Sequence, residues 1–186
     1  GLFGYIGSSG TVQNLRVSGS ITNTSNNTIG GGVAAINDGR IENCSSVTIT
    51  ATATGNNVAV GGVVGYNSGS VTNCCNSSSV SGTGSGSGTI FVGGVVGQNS
   101  NGNVTNCYFM EDTAIKALAT AWQRTGTATE KDDTAFHSGE VAYLLQDGQT
   151  DGSSQVWGQS NLNTPDSWPT LIALDKSVQP VYQVTA

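Results

Sequence analysis

The feature that most constrains this chain is a repeat about 31 residues long. Gly1-Leu2-Phe3-Gly4-Tyr5 leads to Thr11-Val12-Gln13-Asn14-Leu15, and Gly32-Val33-Ala34-Ala35-Ile36-Asn37 leads to Arg40-Ile41-Glu42-Asn43-Cys44. Gly62-Val63-Val64-Gly65-Tyr66-Asn67 leads to Ser70-Val71-Thr72-Asn73-Cys74, and Gly94-Val95-Val96-Gly97-Gln98-Asn99 leads to Asn103-Val104-Thr105-Asn106-Cys107. The units start at 1, 32, 62 and 94. Self-similarity at a fixed period of this size marks a solenoid or an array.

The repeats lack the helical apolar period. They carry short alternating runs instead, such as Val58-Ala59-Val60, Ile90-Phe91-Val92 and Val47-Thr48-Ile49, punctuated by Asn37-Asp38-Gly39, Asn67-Ser68-Gly69 and the glycines from 82 to 88. Such runs read as strands separated by turns. Three strands fit each unit, which matches one coil of a parallel β-helix. The expected fold is therefore all-β: a β-solenoid of about four coils over residues 1–109. A small α+β capping segment at 110–186 is expected to pack on it.

Stacked coils bring equivalent residues within about 4.8 Å. Val12, Ile41, Val71 and Val104 then form one inward ladder, and Leu15, Cys44, Cys74 and Cys107 form the next. Asn14, Asn43, Asn73 and Asn106 occupy a bend, where asparagine tolerates the left-handed backbone and stacked amides can bond between coils. Cys44, Cys74, Cys107, Asn43, Asn73 and Asn106 are thus read as structural. The thiols are expected to be buried and free; a disulfide is the alternative, since stacked Cα atoms lie within bonding reach.

The charge pattern narrows the function. Residues 1–108 hold only Arg16, Asp38, Arg40 and Glu42, and the chain's net charge is −6. A nucleic-acid partner needs clustered Lys and Arg, so none is expected. No run approaches the ~18–20 apolar residues of a membrane span, so no membrane insertion is expected. Gly1 opens inside a repeat, and the chain reads as a piece of a longer protein.

The C-terminal segment changes character. Ile115, Leu118, Ala119 and Trp122 have helical spacing, Thr129 and Asp132 resemble a helix start, and Ser138 can cap a stretch through Val141, Leu144 and Leu145 that ends before Gly148. Val156-Trp157, Thr170-Leu171-Ile172 and Val181-Tyr182 read as short strands.

Chemistry-bearing constellations are sparse. His137 is the one histidine, and no Cys-x-x-Cys pair occurs, so a zinc site is not expected. A Ser-His-Asp set with Asp133 or Asp147 lacks a nucleophile elbow. Asp38 and Glu42 flank Arg40 and read as solvated, partly paired charges rather than a glycosidase pair. The Asp147–Gly152 loop reads as a Gly-rich turn, with a weak calcium site as the alternative. Tyr5 and Tyr66 share a repeat position and are the candidate sugar-stacking residues; packing against a neighbouring coil is their other reading. No catalytic residue, metal or cofactor is expected.

Gly1-Leu2-Phe3-Gly4, Gly62-Val63-Val64-Gly65 and Gly94-Val95-Val96-Gly97 resemble the GLUG motif, and the Val-Thr-Asn-Cys segments at 71–74 and 104–107 look like its second half. The second unit departs from the pattern, with Ala35 in place of the last glycine. Ser138–Leu145, Trp157-Gly158-Gln159 and Pro169 look like a segment that often follows such repeats in large surface proteins of gut-type bacteria. The resemblance implies a bacterial surface or secreted protein, adhesin-like, with a host or cell-wall glycan or protein as its partner. Two alternatives accompany it: an accessory repeat region of a secreted enzyme such as an immunoglobulin A-cleaving metallopeptidase, and a carbohydrate-active β-helix.

Overall fold

A computed structural model describes residues 1–23, 25–84, 88–111, 116–118, 126–147 and 154–182. The repeats form the strands β1 (Phe3–Ile6), β2 (Thr11–Asn23), β3 (Asn27–Gly31), β4 (Ala34–Asn37), β5 (Arg40–Gly55), β6 (Asn57–Gly61), β7 (Val64–Asn67), β8 (Ser70–Thr72), β9 (Cys75–Asn76), β10 (Val80–Gly84), β11 (Ile90–Asn99) and β12 (Asn103–Met110). Every pairing among them is parallel and joins equivalent positions of successive units. The chain is a β-solenoid of three complete turns and part of a fourth.

Each coil has three faces. The first stacks β1, β4, β7 and the end of β11. The second stacks β2, β5, β8, β9, β10 and β12, strands that bend as they run. The third stacks β3, β6 and the start of β11. A glycine doublet turns the chain from the third face back to the first. A Cβ on Gly61 would lie 2.0 Å from the Val64 carbonyl oxygen, and one on Gly93 would lie 1.9 Å from that of Val96. No side chain fits there, so the doublet is a steric requirement of the corner.

The interior divides in two. The main core joins the first and second faces through Val33, Val63, Val95, Ala34, Val64, Val96, Ile41, Val71, Val104 and the three stacked cysteines. A smaller core holds Val58, Val60 and Val80 between the third face and the far ends of β2 and β5, beside Val17, Ile21 and Val92.

Beyond β12, the strands β13 (Lys116–Leu118) and β14 (Gly126–Lys131) extend the two sheets in parallel, β13 on β11 and β14 on β12. This corrects the helical expectation at 116–118: Leu118 is a strand residue beside Val96. Ile115, Ala119 and Trp122 lie outside the described residues. An open sheet edge offers a row of unpaired backbone groups, and satisfying it outweighs a four-residue apolar spacing.

Two short helices follow, α1 (Asp133–Ser138) and α2 (Glu140–Leu144). Asp132 caps α1 by accepting from the Ala135 amide at 2.7 Å, while Thr129 belongs to β14. Gly139, with φ 94°, separates the helices and stands at the N-cap of α2, where Ser138 was the expected cap. Gly148 lies outside the described residues. A small antiparallel sheet of β15 (Trp157–Gln159), β16 (Thr170–Leu171) and β17 (Gln179–Pro180) completes the segment. The third strand falls two residues before the expected Val181-Tyr182.

This segment leans on the flank of the stack. Phe136, Val141, Leu145, Trp157 and Leu171 share a core with Cys75 and Tyr108, which point outward from the second face. The helices and the small sheet of this segment cover a lateral strip of the solenoid, while β13 and β14 pair on its last coil.

Candidate functional site

The structural columns stand where the repeats place them. Val12 pairs with Ile41, Ile41 with Val71, and Val71 with Val104. Asn14, Asn43, Asn73 and Asn106 all adopt left-handed backbone, with φ of 56°, 51°, 52° and 50°. Asn106 Nδ2 donates to Asn73 Oδ1 at 2.8 Å and to the Leu144 carbonyl at 3.0 Å, which ties the bend to α2.

Cys44, Cys74 and Cys107 follow these bends, are fully buried and are free thiols. Each Sγ donates to the carbonyl two residues before it, on Glu42, Thr72 and Thr105, at 3.2, 3.2 and 3.3 Å. The thiol supplies a weak donor in an apolar interior. Burial pushes the Cys74 and Cys75 thiols above their ordinary range, and a buried neutral thiol is inert.

A second amide column runs through Asn37 and Asn67, which the sequence alone places in turns, and on to Asn99. Asn37, Asn67 and Asn99 are buried. Asn37 Nδ2 donates to Asn67 Oδ1 at 2.8 Å, Asn67 Nδ2 donates to Asn99 Oδ1 at 2.8 Å, and Asn99 Nδ2 donates to the Gly102 carbonyl at 2.8 Å. The signal was present in the alignment, since the three recur at one repeat position. In the first coil Ile6 occupies that position, paired with Asn37.

The aromatic candidates are not adjacent. Tyr5 pairs with Ile36, and Ile36 with Tyr66, so one strand separates the two rings. Tyr5 is exposed, and its hydroxyl donates to Asp38 at 2.6 Å. Ser68 Oγ donates to the same carboxylate. These two bonds, Ser68 first, hold Asp38 below the usual carboxylate range. Glu42 accepts from Arg40 at 2.6 Å, so the two acids answer to different partners. His137 Nδ1 lies 2.7 Å from the Ser167 carbonyl and Nε2 lies 3.1 Å from Asp133, with the ring edge-on to Trp168.

A concave feature lies between the third face and the first. Ile29, Ala59 and Phe91 stack outward on β3, β6 and β11. The small Ala59 between two larger neighbours leaves a notch whose walls stand two strand spacings apart, about 9.6 Å. Asn27, Asn57 and Thr89 form one rim and Gln98 the other, around a cavity of about 350 Å³. Asn57 Nδ2 donates to Asn27 Oδ1 at 2.9 Å, and the Thr89 amide donates to Asn57 Oδ1 at 3.2 Å.

Two glycines bring the faces together. A Cβ on Gly65 would meet the Gly30 nitrogen at 2.7 Å, and one on Gly97 would meet the Val60 nitrogen at 2.5 Å. Each contact spans two coils, third to first and fourth to second. The same position in the first coil, Gly4, has open space around it. Ala35 belongs to the second coil, and among the described residues no third-face strand lies two coils before it. The strand that carries Ala35 keeps the register of its neighbours.

The family model described as the GLUG motif matches residues 88–109. No curated protein and no solved structure matches the chain. The matched stretch supplies the corner doublet Gly93-Gly94, the closely packed Gly97, the ladder residue Asn99, the bend residue Asn106, and Phe91, Thr89 and Gln98 of the cavity.

Proposed function

We propose that this chain is a non-catalytic structural and interaction module of a bacterial cell-surface or secreted protein, a stiff adhesin-like spacer. The observation that carries the reading is the unbroken run of interior bonds along the stack, Asn37 to Asn67 to Asn99. Parallel strand pairing and that amide ladder both act along one axis, so the coils resist separation and hold whatever they connect at a fixed distance. Solenoids of this kind draw stability from contacts between neighbouring units. The GLUG match at 88–109 supports the same reading.

The test is made on the full natural protein. Antibodies raised against this chain are expected to label intact cells or the culture medium. Cytoplasmic retention would sink the surface assignment. The purified chain is expected to release no reducing ends from a panel of polysaccharides, and product formation would overturn the non-catalytic reading.

A further inference from the structure

We propose that the notch over Ala59 is a binding subsite for an uncharged sugar, seated against Phe91 and held by the amides on its rims. This rests on the interaction-module reading and names the site and ligand class it would use.

Three observations converge on this cavity. Its floor is apolar: Ile29, Ala59 and Phe91 line it. Phe91 is half-buried in β11, paired there with β6, and Ile29 is 38% exposed. A pyranose ring presents C–H groups on one face and hydroxyls around its edge. Its apolar face matches an aromatic ring held in place, and its edge needs donors and acceptors at the rim.

The rims meet that need. The side-chain amide of Gln98, the Nδ2 of Asn27 and the hydroxyl of Thr89 make no hydrogen bond to the described residues. They supply donors and acceptors in every direction a sugar hydroxyl takes. Asn57 is different: both ends of its amide are engaged, one on Asn27 and one on the Thr89 backbone, which fixes the rim in place. A few placed polar groups around an apolar floor, in a volume of this size, is the build of a small-ligand site.

The charge of the ligand follows from what surrounds it. Among the described residues no ionisable side chain lines the cavity. An anionic sugar would gain no charged partner among these lining residues. The apolar floor alone would suit an extended peptide, but such a strand adds along a sheet edge through its backbone. Here the notch sits over β6, which is paired on both sides, to β3 and to β11, while the open edge of this sheet lies beyond it at β3. The unengaged amides decide for the sugar.

The experiment titrates the full 186-residue chain, labelled with nitrogen-15, with two sets of oligosaccharides. One set is uncharged: β-glucan, mannan, galactan and chitin fragments. The other is acidic: polygalacturonate and heparin fragments. An uncharged fragment is expected to shift the amides of Ala59, Phe91 and Gln98, with an affinity insensitive to salt. Phe91→Ala is expected to weaken binding about tenfold or more. Ala59→Leu fills the notch and is expected to abolish binding. Gln98→Ala sits on a half-buried rim and serves as the variant least able to perturb folding; about a threefold loss is expected for one removed hydrogen bond. Spectra of each free variant show whether the fold is retained.

Absence of binding by every uncharged fragment, preference for the acidic set, or shifts centred on Tyr5 and Tyr66 would each overturn the proposal. So would capture of an apolar peptide at these amides in place of a sugar. Failure of this kind leaves the spacer reading standing, because that reading falls only to product release or cytoplasmic location.

Discussion

Asn37 Nδ2 lies 2.8 Å from Asn67 Oδ1, thirty residues on, and both side chains are fully buried. A primary amide has a donor end and an acceptor end, so a stacked column can run head to tail with nothing left over. That is why asparagine, rather than serine or an aliphatic residue, recurs here.

Asn67→Ala removes the buried amide that accepts from Asn37 and donates to Asn99 and to the Gly69 carbonyl. We expect a loss of about 2–3 kcal/mol in urea unfolding. Asn27→Ala removes an exposed rung of the outer amide pair and should change stability by less than about 0.5 kcal/mol. Equal effects of the two variants would contradict the buried-ladder account.

Gly97→Ala places a methyl 2.5 Å from the Val60 nitrogen and 2.7 Å from the Gly65 carbonyl oxygen. Overpacking of backbone against backbone should cost about 1–3 kcal/mol. Gly4→Ala meets open space and should be neutral within about 0.5 kcal/mol. Thermal melts of the pair give the comparison directly.

All four cysteines are buried and free. A thiol-labelling reagent should modify none of them in the folded protein and all four after denaturation. Burial raises Cys74 and Cys75. The folded state thus holds those protons where the unfolded chain loses them. Their contribution to stability is complete below the unfolded thiol value near pH 8.5 and declines as pH rises above it. Cys75→Ala should flatten that alkaline decline. An unchanged slope would show that Cys75 does not contribute to it.

Asp38 is held below its ordinary value by Ser68 and Tyr5. Its contribution to stability is therefore present above the unfolded carboxylate value and is lost as pH falls through the folded one. Tyr5→Phe removes one of the two bonds, and the Asp38 titration followed by NMR should move back upward. Ser68→Ala, which removes the larger influence, should move it further.

Much of the repeat half was legible, because every coil repeats the same local choices. Val71 pointing inward, Asn73 bending left-handed and Cys74 buried were readable from one alignment. Asn67 was aligned equally well, yet asparagine beside serine and glycine reads as a surface turn, and only the stacking of coils buries it. Leu118 had helical spacing to its neighbours, but the open edge at Val96 recruits it as a strand. The cavity was least legible. It arises where the fourth coil's Gln98 meets the second coil's Ala59 across space, a relation no single repeat contains.

The two-coil reach of Gly65 and Gly97 makes the units unequal as genetic currency. A tandem duplication of the third or fourth unit copies its own glycine and inserts anywhere in the stack. A duplication that moved the second unit inward would set the Ala35 methyl against a backbone two coils away. Arrays of this kind lengthen from units that keep the glycine, and a unit that has lost it cannot be moved to a place two coils from a third-face strand.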